Sequence, residues 1–369
     1  MQRLLLNGIV TLVLIAGSGH APAAESSKAE QVIENFGLEQ AATPVSQRAG
    51  WRKPKRILVY EIVPRLVSSL RAVAPEVEFV LADPRQFAQQ AVGVDAVIGV
   101  CTPEIVAAGT SIRWISMISA GVEDCVRIPQ VRERDILVTN MQRIGGPVIA
   151  EHAMAMLLAL ARGLDFYIAG QAQGQWQRYA PSQRRTVIQG KTLLVVGLGG
   201  IGSEVAKRAH ALGMRVTATR ASGRAGPEFV SYVGLPEELP KLAAEADVIV
   251  NAAPLTPQTT GIFDAAFFAK MKSSAYFINI ARGRSVVTSA LVDALKNNRI
   301  AGAALDVTDP EPLPANHPLW RMPNVIITPH VASDSDLGFD TQVTVTTENL
   351  RRYLNGERML SVVDTSKGY

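Results

Sequence analysis

The apolar and polar positions of this chain alternate between short buried runs and amphipathic or polar stretches. Arg56 to Val63 (RILVYEIV), Val77 to Leu81, Asp95 to Val100, Ile112 to Ile118 and Ile136 to Thr139 have the length and β-branched content that predict strands. Helical or turn-rich segments separate them. Pro103 to Ala108, for example, follows Thr102 as an expected N-cap. Strand alternating with helix predicts a parallel α/β sheet covered on both faces. Val148 to Ala161 (VIAEHAMAMLLALA) is apolar nearly all round and predicts a buried or interface helix, too short to span a bilayer. Gly145-Gly146-Pro147 before it marks a hinge and domain boundary. A second series of runs follows: Leu193 to Val196, Met214 to Thr219, Val248 to Ala252, Tyr276 to Ile280, Gly302 to Leu305 and Val325 to Thr328.

One stretch carries chemistry by its spacing. Leu193 to Val196 predicts a strand, Gly197, Gly199 and Gly202 follow as G-x-G-x-x-G, and Glu204 to Leu212 predicts a helix. In that context Gly197 permits a tight turn, Gly199 lets a pyrophosphate approach the backbone, and Gly202 lets helix close on strand. The helix start, with Gly200 and Ile201, offers unpaired N–H groups to the phosphates. After the next strand an NAD-preferring site would place an acid for the ribose 2′-OH, but this chain has Arg220, Ser222 and Arg224. A guanidinium pairs with a 2′-phosphate, so NADP is the expected cofactor and NAD the second. Further polar residues stand just past strand ends, where open α/β sheets bind ligands: Pro254, Arg282, Asp306, Glu311 and His330. Ser119-Ala120-Gly121-Val122 is a small-residue turn at another strand end, able to show N–H groups to an anion.

Composition narrows the class. The 369 residues are long enough for two domains, and the net charge of +4 comes from scattered basic residues, which disfavours nucleic acid. Cys101 and Cys125 make neither a disulfide framework nor a metal site, and each lies in or near an apolar run, so buried free thiols are expected. No metal site is expected. The start has a basic residue at Arg3, an apolar run from Leu4 to Ala16, and Ala21-Pro22-Ala23, the pattern of a signal peptide cut near Ala23. Export to the periplasm or medium is therefore expected, a cytoplasmic protein being the alternative. Stable membrane insertion is not expected. Residues 25–55 are polar, lack strong periodicity and read as a leader or loose helix outside the core.

These motifs resemble the D-isomer-specific 2-hydroxyacid dehydrogenase family. The resemblance rests on Asn140, AEHAMAMLLALAR from Ala150, GKTLLVVGLGGIG from Gly190, and PLTPQTTG from Pro254. MKSSAYFINIARG from Met271, ALVDALKNNRIAGAALDV from Ala290, EPLPANHPLW from Glu311 and PNVIITPH from Pro323 complete it. With basic residues after the second strand, the chain looks most like the glyoxylate/hydroxypyruvate reductase branch. The resemblance implies a Rossmann-type dinucleotide-binding domain, residues 146–333, inserted into a flavodoxin-like substrate domain, residues 56–145 and 334–369. It also implies a homodimer that uses the helix from Val148. It makes His330 the general acid/base, Glu311 the carboxylate that orients it, and Arg282 the grip on substrate carboxylate and carbonyl. The backbone of Ala120, Gly121 and Val122 would hold the other side of that carboxylate, while Ala281 and Asp306 would position the nicotinamide. The substrate would be a small 2-keto or 2-hydroxy acid. The alternative is a catalytically silent NAD(P)H-binding regulatory or scaffold protein of the same fold. Two departures stand out: Thr288 replaces a common acid, and Val331-Ala332-Ser333 follow His330.

Overall fold

The computed structural model describes residues 21–61, 65–178, 185–336 and 338–368, with side chains from residue 28 onward. Five strands, β1 (Arg56–Val59), β2 (Glu78–Leu81), β3 (Ala96–Ile98), β4 (Trp114–Ser116) and β5 (Leu137–Thr139), form one parallel sheet. Its order is β2-β1-β3-β4-β5. The inner strands are buried on both faces, which is why they read as unbroken apolar runs. Thr102 caps the helix Pro103–Ala108 as expected, accepting from the Ile105 N–H at 3.4 Å.

Seven further strands build a second parallel sheet: β6 (Thr192–Val196), β7 (Arg215–Thr219), β8 (Val230–Gly234), β9 (Val248–Asn251), β10 (Tyr276–Asn279), β11 (Gly302–Leu305) and β12 (Val325–Ile327). Their order, β12-β11-β10-β9-β6-β7-β8, reverses direction between β6 and β9, so a crevice opens beyond the carboxyl ends of those two strands. The edge strand β8 escapes sequence reading because Val230-Ser231-Tyr232-Val233 mixes exposed and buried positions over a few residues. Ser231 Oγ donates to the Val216 carbonyl and helps hold it.

Helix Gly146–Arg162 leaves the first sheet and packs against β10, β11, β12 and the helix Gly200–Ala211. The final helix, Gly338–Asn355, returns to the first sheet, where Leu350 and Tyr353 are buried and Tyr353 stacks on Trp114 at 4.9 Å. The architecture is thus a Rossmann-type sheet inserted into a flavodoxin-like one, with two packed α/β units facing each other across a cleft. No single helix among the described residues is long and apolar enough to cross a membrane.

Two expectations need correction. Residues 25–55 do not lie outside the core: Leu38 and Val45 are buried in the first unit, and Trp51 packs against it. Val32, Ile33 and Phe36, at helical spacing, pack on the same core, and main-chain bonds add to this, Ala41 N–H donating to Met359 O and Val45 N–H to Glu357 O. Arg52 adds a charged tie to the largely buried Asp95 at 2.6 Å. Second, Cys101 and Cys125 are not free thiols but a disulfide, with Cα atoms 5.4 Å apart. They are 24 residues apart in sequence, but β3 and β4 are neighbours, so the segments following them lie side by side. The signal-peptide expectation rests mainly on residues 1–20, outside the described residues. Ala21-Pro22-Ala23, the expected cleavage region, lies within the helix Ala21–Phe36. Ile62 and Val63, expected to extend β1, also lie outside them.

Candidate active site

The glycine turn after β6 is built as its spacing requires. Gly197 has φ +96°, and a Cβ there would lie 2.6 Å from the Ala253 backbone, so β6 and β9 close tightly at the crevice. A Cβ on Gly202 would lie 2.0 Å from the Gly197 carbonyl, which fixes how near the helix approaches its strand. Beside Gly199 the space is open. Ser203 N–H is the first to bond within the helix, to Gly199 O, so the N–H groups of Gly200, Ile201 and Gly202 are left for an anion. These features fit a dinucleotide pyrophosphate. Pro254 follows the Ala252–Ala253 wall of the same crevice, its carbonyl accepting from Thr259 Oγ1 at 2.6 Å.

At the end of β7 the expected basic residues separate. Arg220 Nη1 donates to the Ala225 carbonyl, and Ser222 is exposed on the turn. Arg224 is engaged by Glu238 at 2.7 Å and by the Tyr232 hydroxyl. Tyr232, Leu235 N–H and Arg224 hold the Glu238 carboxyl down at about 2, so it stays ionised at neutral pH. Arg224 is therefore already balanced, whereas Arg220 has only a neutral partner among the described residues.

Arg282 stands just after β10. A buried polar network fixes its main chain: Asn279 Nδ2 and Ser285 Oγ both donate to the Arg282 carbonyl, and Asn251 Nδ2 donates to Asn279 Oδ1 and Ser285 Oγ. Losing one member would leave a buried partner unsatisfied, at about 1–3 kcal/mol. The side chain reaches across the cleft to the turn after β4. There Arg282 Nε and Nη2 donate to Glu123, Nη1 donates to Ala281 O, and Nη2 presses on Gly121. Ser119 Oγ donates to the Gly121 carbonyl, and Asn140 Nδ2 donates to that of Ala120. No described residue accepts from the N–H groups of Ala120, Gly121 and Val122, so the turn has three unspent donors beside Arg282. Burial pushes the Glu123 carboxyl up, but the Arg282 hydrogen bonds and charge outweigh it and leave it below the usual carboxylate range.

His330 and Glu311 form the other half. His330 Nδ1 lies 2.5 Å from Glu311 Oε1, leaving Nε2 as the ring nitrogen outside that contact. Both side chains remain partly open. Glu311 is held by Thr308 N–H, and a Cβ on Gly283 would meet Thr308 O at 1.8 Å, so the Arg282 and Glu311 loops touch. His330 takes φ +56°, a conformation that needs outside support. Asp306, 2 % exposed, supplies it: its carbonyl accepts from His330 N–H, and its carboxylate accepts from Thr328 Oγ1, Val331 N–H and Ala332 N–H. His152, from the helix of the hinge, meets the same Thr328 hydroxyl at 2.9 Å. The carboxylate expected at the nicotinamide thus also braces the histidine loop.

The structure joins Arg282 to the Ala120–Val122 turn through Gly121 and Glu123, and joins the Arg282 loop through Gly283 and Thr308 to the loop whose Glu311 meets His330. Sequence reading missed Glu123, the Asn251–Asn279–Ser285 network and His152. An acid directly after an anion-holding turn was the available signal for the first. The asparagines ending successive strands were the signal for the second.

A parallel, doubly wound sheet with an anion-binding glycine turn, facing a histidine–carboxylate pair and a guanidinium, defines a dinucleotide-dependent oxidoreductase. Residues 154–332 match the family described as D-isomer specific 2-hydroxyacid dehydrogenase, NAD binding domain. The human glyoxylate reductase/hydroxypyruvate reductase is 36% identical over 69% of this chain and 78% of its own length. A structure from Xanthobacter autotrophicus, a D-isomer specific 2-hydroxyacid dehydrogenase in complex with NADPH, superposes with TM-score 0.73 at 29% identity, covering 86% of this chain and all of that one. The NADPH-dependent glyoxylate/hydroxypyruvate reductase of Sinorhizobium meliloti, in complex with NADP and sulfate, gives 0.72 at 27% identity over 85% of this chain and 100% of its own. The chain belongs to the D-isomer-specific 2-hydroxyacid dehydrogenase family and is an NAD(P)-dependent oxidoreductase.

The Gly121 contact is testable directly. A Cβ there would lie 1.6 Å from Arg282 Nη2, so Gly121→Ala must expel the guanidinium. Expected is a fall of about 10²-fold in kcat/KM for a 2-keto acid with the thermal midpoint little changed. Wild-type kinetics would show that the guanidinium does not work at this turn.

Proposed function

We propose that the protein is an NADP-dependent 2-keto-acid reductase acting on small substrates of the glyoxylate or hydroxypyruvate kind. The observation that carries this reading is the Arg282 contact across the two units: its guanidinium lies against Gly121 and Glu123 of the turn after β4, while its own loop touches the loop that holds Glu311 on His330. The relatives named above act on those substrates or bind NADP, in agreement with it. The bound nicotinamide would supply a hydride to C2. The N–H groups of Ala120, Gly121 and Val122 hold the substrate carboxylate, and Arg282 donates to the C2 oxygen as negative charge grows there. His330, oriented through Nδ1 by Glu311, gives its proton to that oxygen from Nε2, and the 2-hydroxy acid results. Arg220, with Ser222 beside it, receives the 2′-phosphate; Arg224 assists once it gives up part of its contact with Glu238.

We further infer export, with the chain cut near Ala23. The basic, apolar and small-residue pattern of the start supports this, as does the Cys101–Cys125 disulfide, a bond that persists in oxidising compartments. A homodimer is proposed through the hinge helix and its successor Leu164–Ala172, where Leu164 and Ile168 are exposed.

Turnover of glyoxylate, hydroxypyruvate and pyruvate, followed at 340 nm with NADPH and NADH, tests the reaction. Wild type should favour NADPH, Arg220→Ala should lose that preference, and His330→Ala should lower kcat by about 10²–10⁴-fold. Unchanged kcat in His330→Ala removes the histidine from the chemistry. Tight NADPH binding without turnover would instead make the protein a sensor. N-terminal sequencing of fractionated cells should find a start near residue 24 outside the cytoplasm, and an intact Met1 inside it refutes export. Sedimentation should give twice the chain mass; a monomer refutes the dimer.

A further inference from the structure

Glu123 and Asp124 are adjacent acids with opposite fates. Asp124 is 85% exposed and meets the surface guanidiniums of Arg127 and Arg284. Glu123 is 15% exposed and turns inward, where its carboxylate accepts from Arg282 Nε and Nη2. Two ties hold it there. Its short helix, Glu123–Val126, carries Cys125, bonded to Cys101 beyond β3, and the turn before it is pinned by Ser119 and Asn140.

A guanidinium has five N–H donors. Glu123 takes one on Nε and one on Nη2, while Ala281 O takes one on Nη1. Two remain, one on each terminal nitrogen. The edge that would otherwise clamp a substrate carboxylate side-on is already filled, so what Arg282 can offer is its terminal pair. We propose that Glu123 is a positioning residue: it occupies the Nε edge of Arg282 and thereby aims the terminal N–H pair at the C2 oxygen of the substrate. This rests on the reductase reading above and adds to it how the guanidinium is oriented. It also divides the labour within the cleft. The paired Arg282 carries little net charge toward an anion, so the backbone cradle at Ala120–Val122 does most of the carboxylate binding, and Arg282 acts on charge that develops during the step.

That division predicts a split between binding and rate. Glu123→Gln, which keeps the size but removes the charge, leaves Arg282 freer to bind the carboxylate in the ground state. Expected are an unchanged or lower KM for glyoxylate, an unchanged KM for NADPH, and a kcat lower by about 10–100-fold. Glu123→Asp keeps the charge and should recover part of kcat. Thermal melts of both variants report folding. Either kcat within twofold of wild type in Glu123→Gln, or KM for glyoxylate and NADPH rising together with a lowered melting point, overturns the proposal. Wild-type turnover separates the two claims: no reduction of any 2-keto acid by wild type defeats the reductase reading and this role with it. Turnover that Glu123→Gln leaves untouched defeats the role of Glu123 alone.

Discussion

The structure depends on a charge pair that crosses the cleft. Arg282 belongs to the inserted unit and Glu123 to the flanking one, and their side chains meet where the carboxyl ends of both sheets face each other. Neither sheet contains a complete site. The Rossmann-type sheet brings the glycine turn, the guanidinium, the histidine and its carboxylate, while the flavodoxin-like sheet brings the backbone cradle. Parallel sheets place all their carboxyl-end loops on one side, so opposing two of them lets Arg282 after β10 meet Glu123 after β4.

Precision comes from buried polar groups behind those that face the cleft. Asn279 and Ser285 donate to one carbonyl, that of Arg282, and Asn251 donates to both of them, so the guanidinium projects from a fixed root. Asp306 does the same for His330, holding the main chain of that residue at positive φ and of the two after it, and the Thr328 hydroxyl before it. Strain at the histidine is thereby offset by a carboxylate that is itself buried and satisfied. Positioning of this kind is worth more to a hydride and proton transfer than added contacts, because small misplacement of the reacting groups costs large factors in rate.

Much of this was legible in the chain. Periodicity located all five strands of the first sheet and six of the second, because strands buried on both faces are unbroken apolar runs. It missed β8, which is half exposed. It also misplaced residues 25–55: Val32, Ile33 and Phe36 recur at helical spacing and pack on the first unit, while Ala41 and Val45 add main-chain bonds that no side-chain pattern records. Arg282, Glu311 and His330 were readable because each follows a strand end within a recognisable motif. The Cys101–Cys125 bond was not, because adjacency of β3 and β4 is a property of the folded sheet. Glu123 was hidden for the same reason: its partner lies 159 residues away on the other unit.

The central claim is that one small anion is shared by both units. A crystal structure of the full chain with NADPH and oxamate, an unreactive mimic of a 2-keto acid, tests it most directly. The account predicts the oxamate carboxylate on the N–H groups of Gly121 and Val122, with the neighbouring amide oxygen between the terminal nitrogens of Arg282 and Nε2 of His330. Oxamate seated away from that turn, or a His330 ring facing solvent while Arg282 grips the ligand alone, would contradict it.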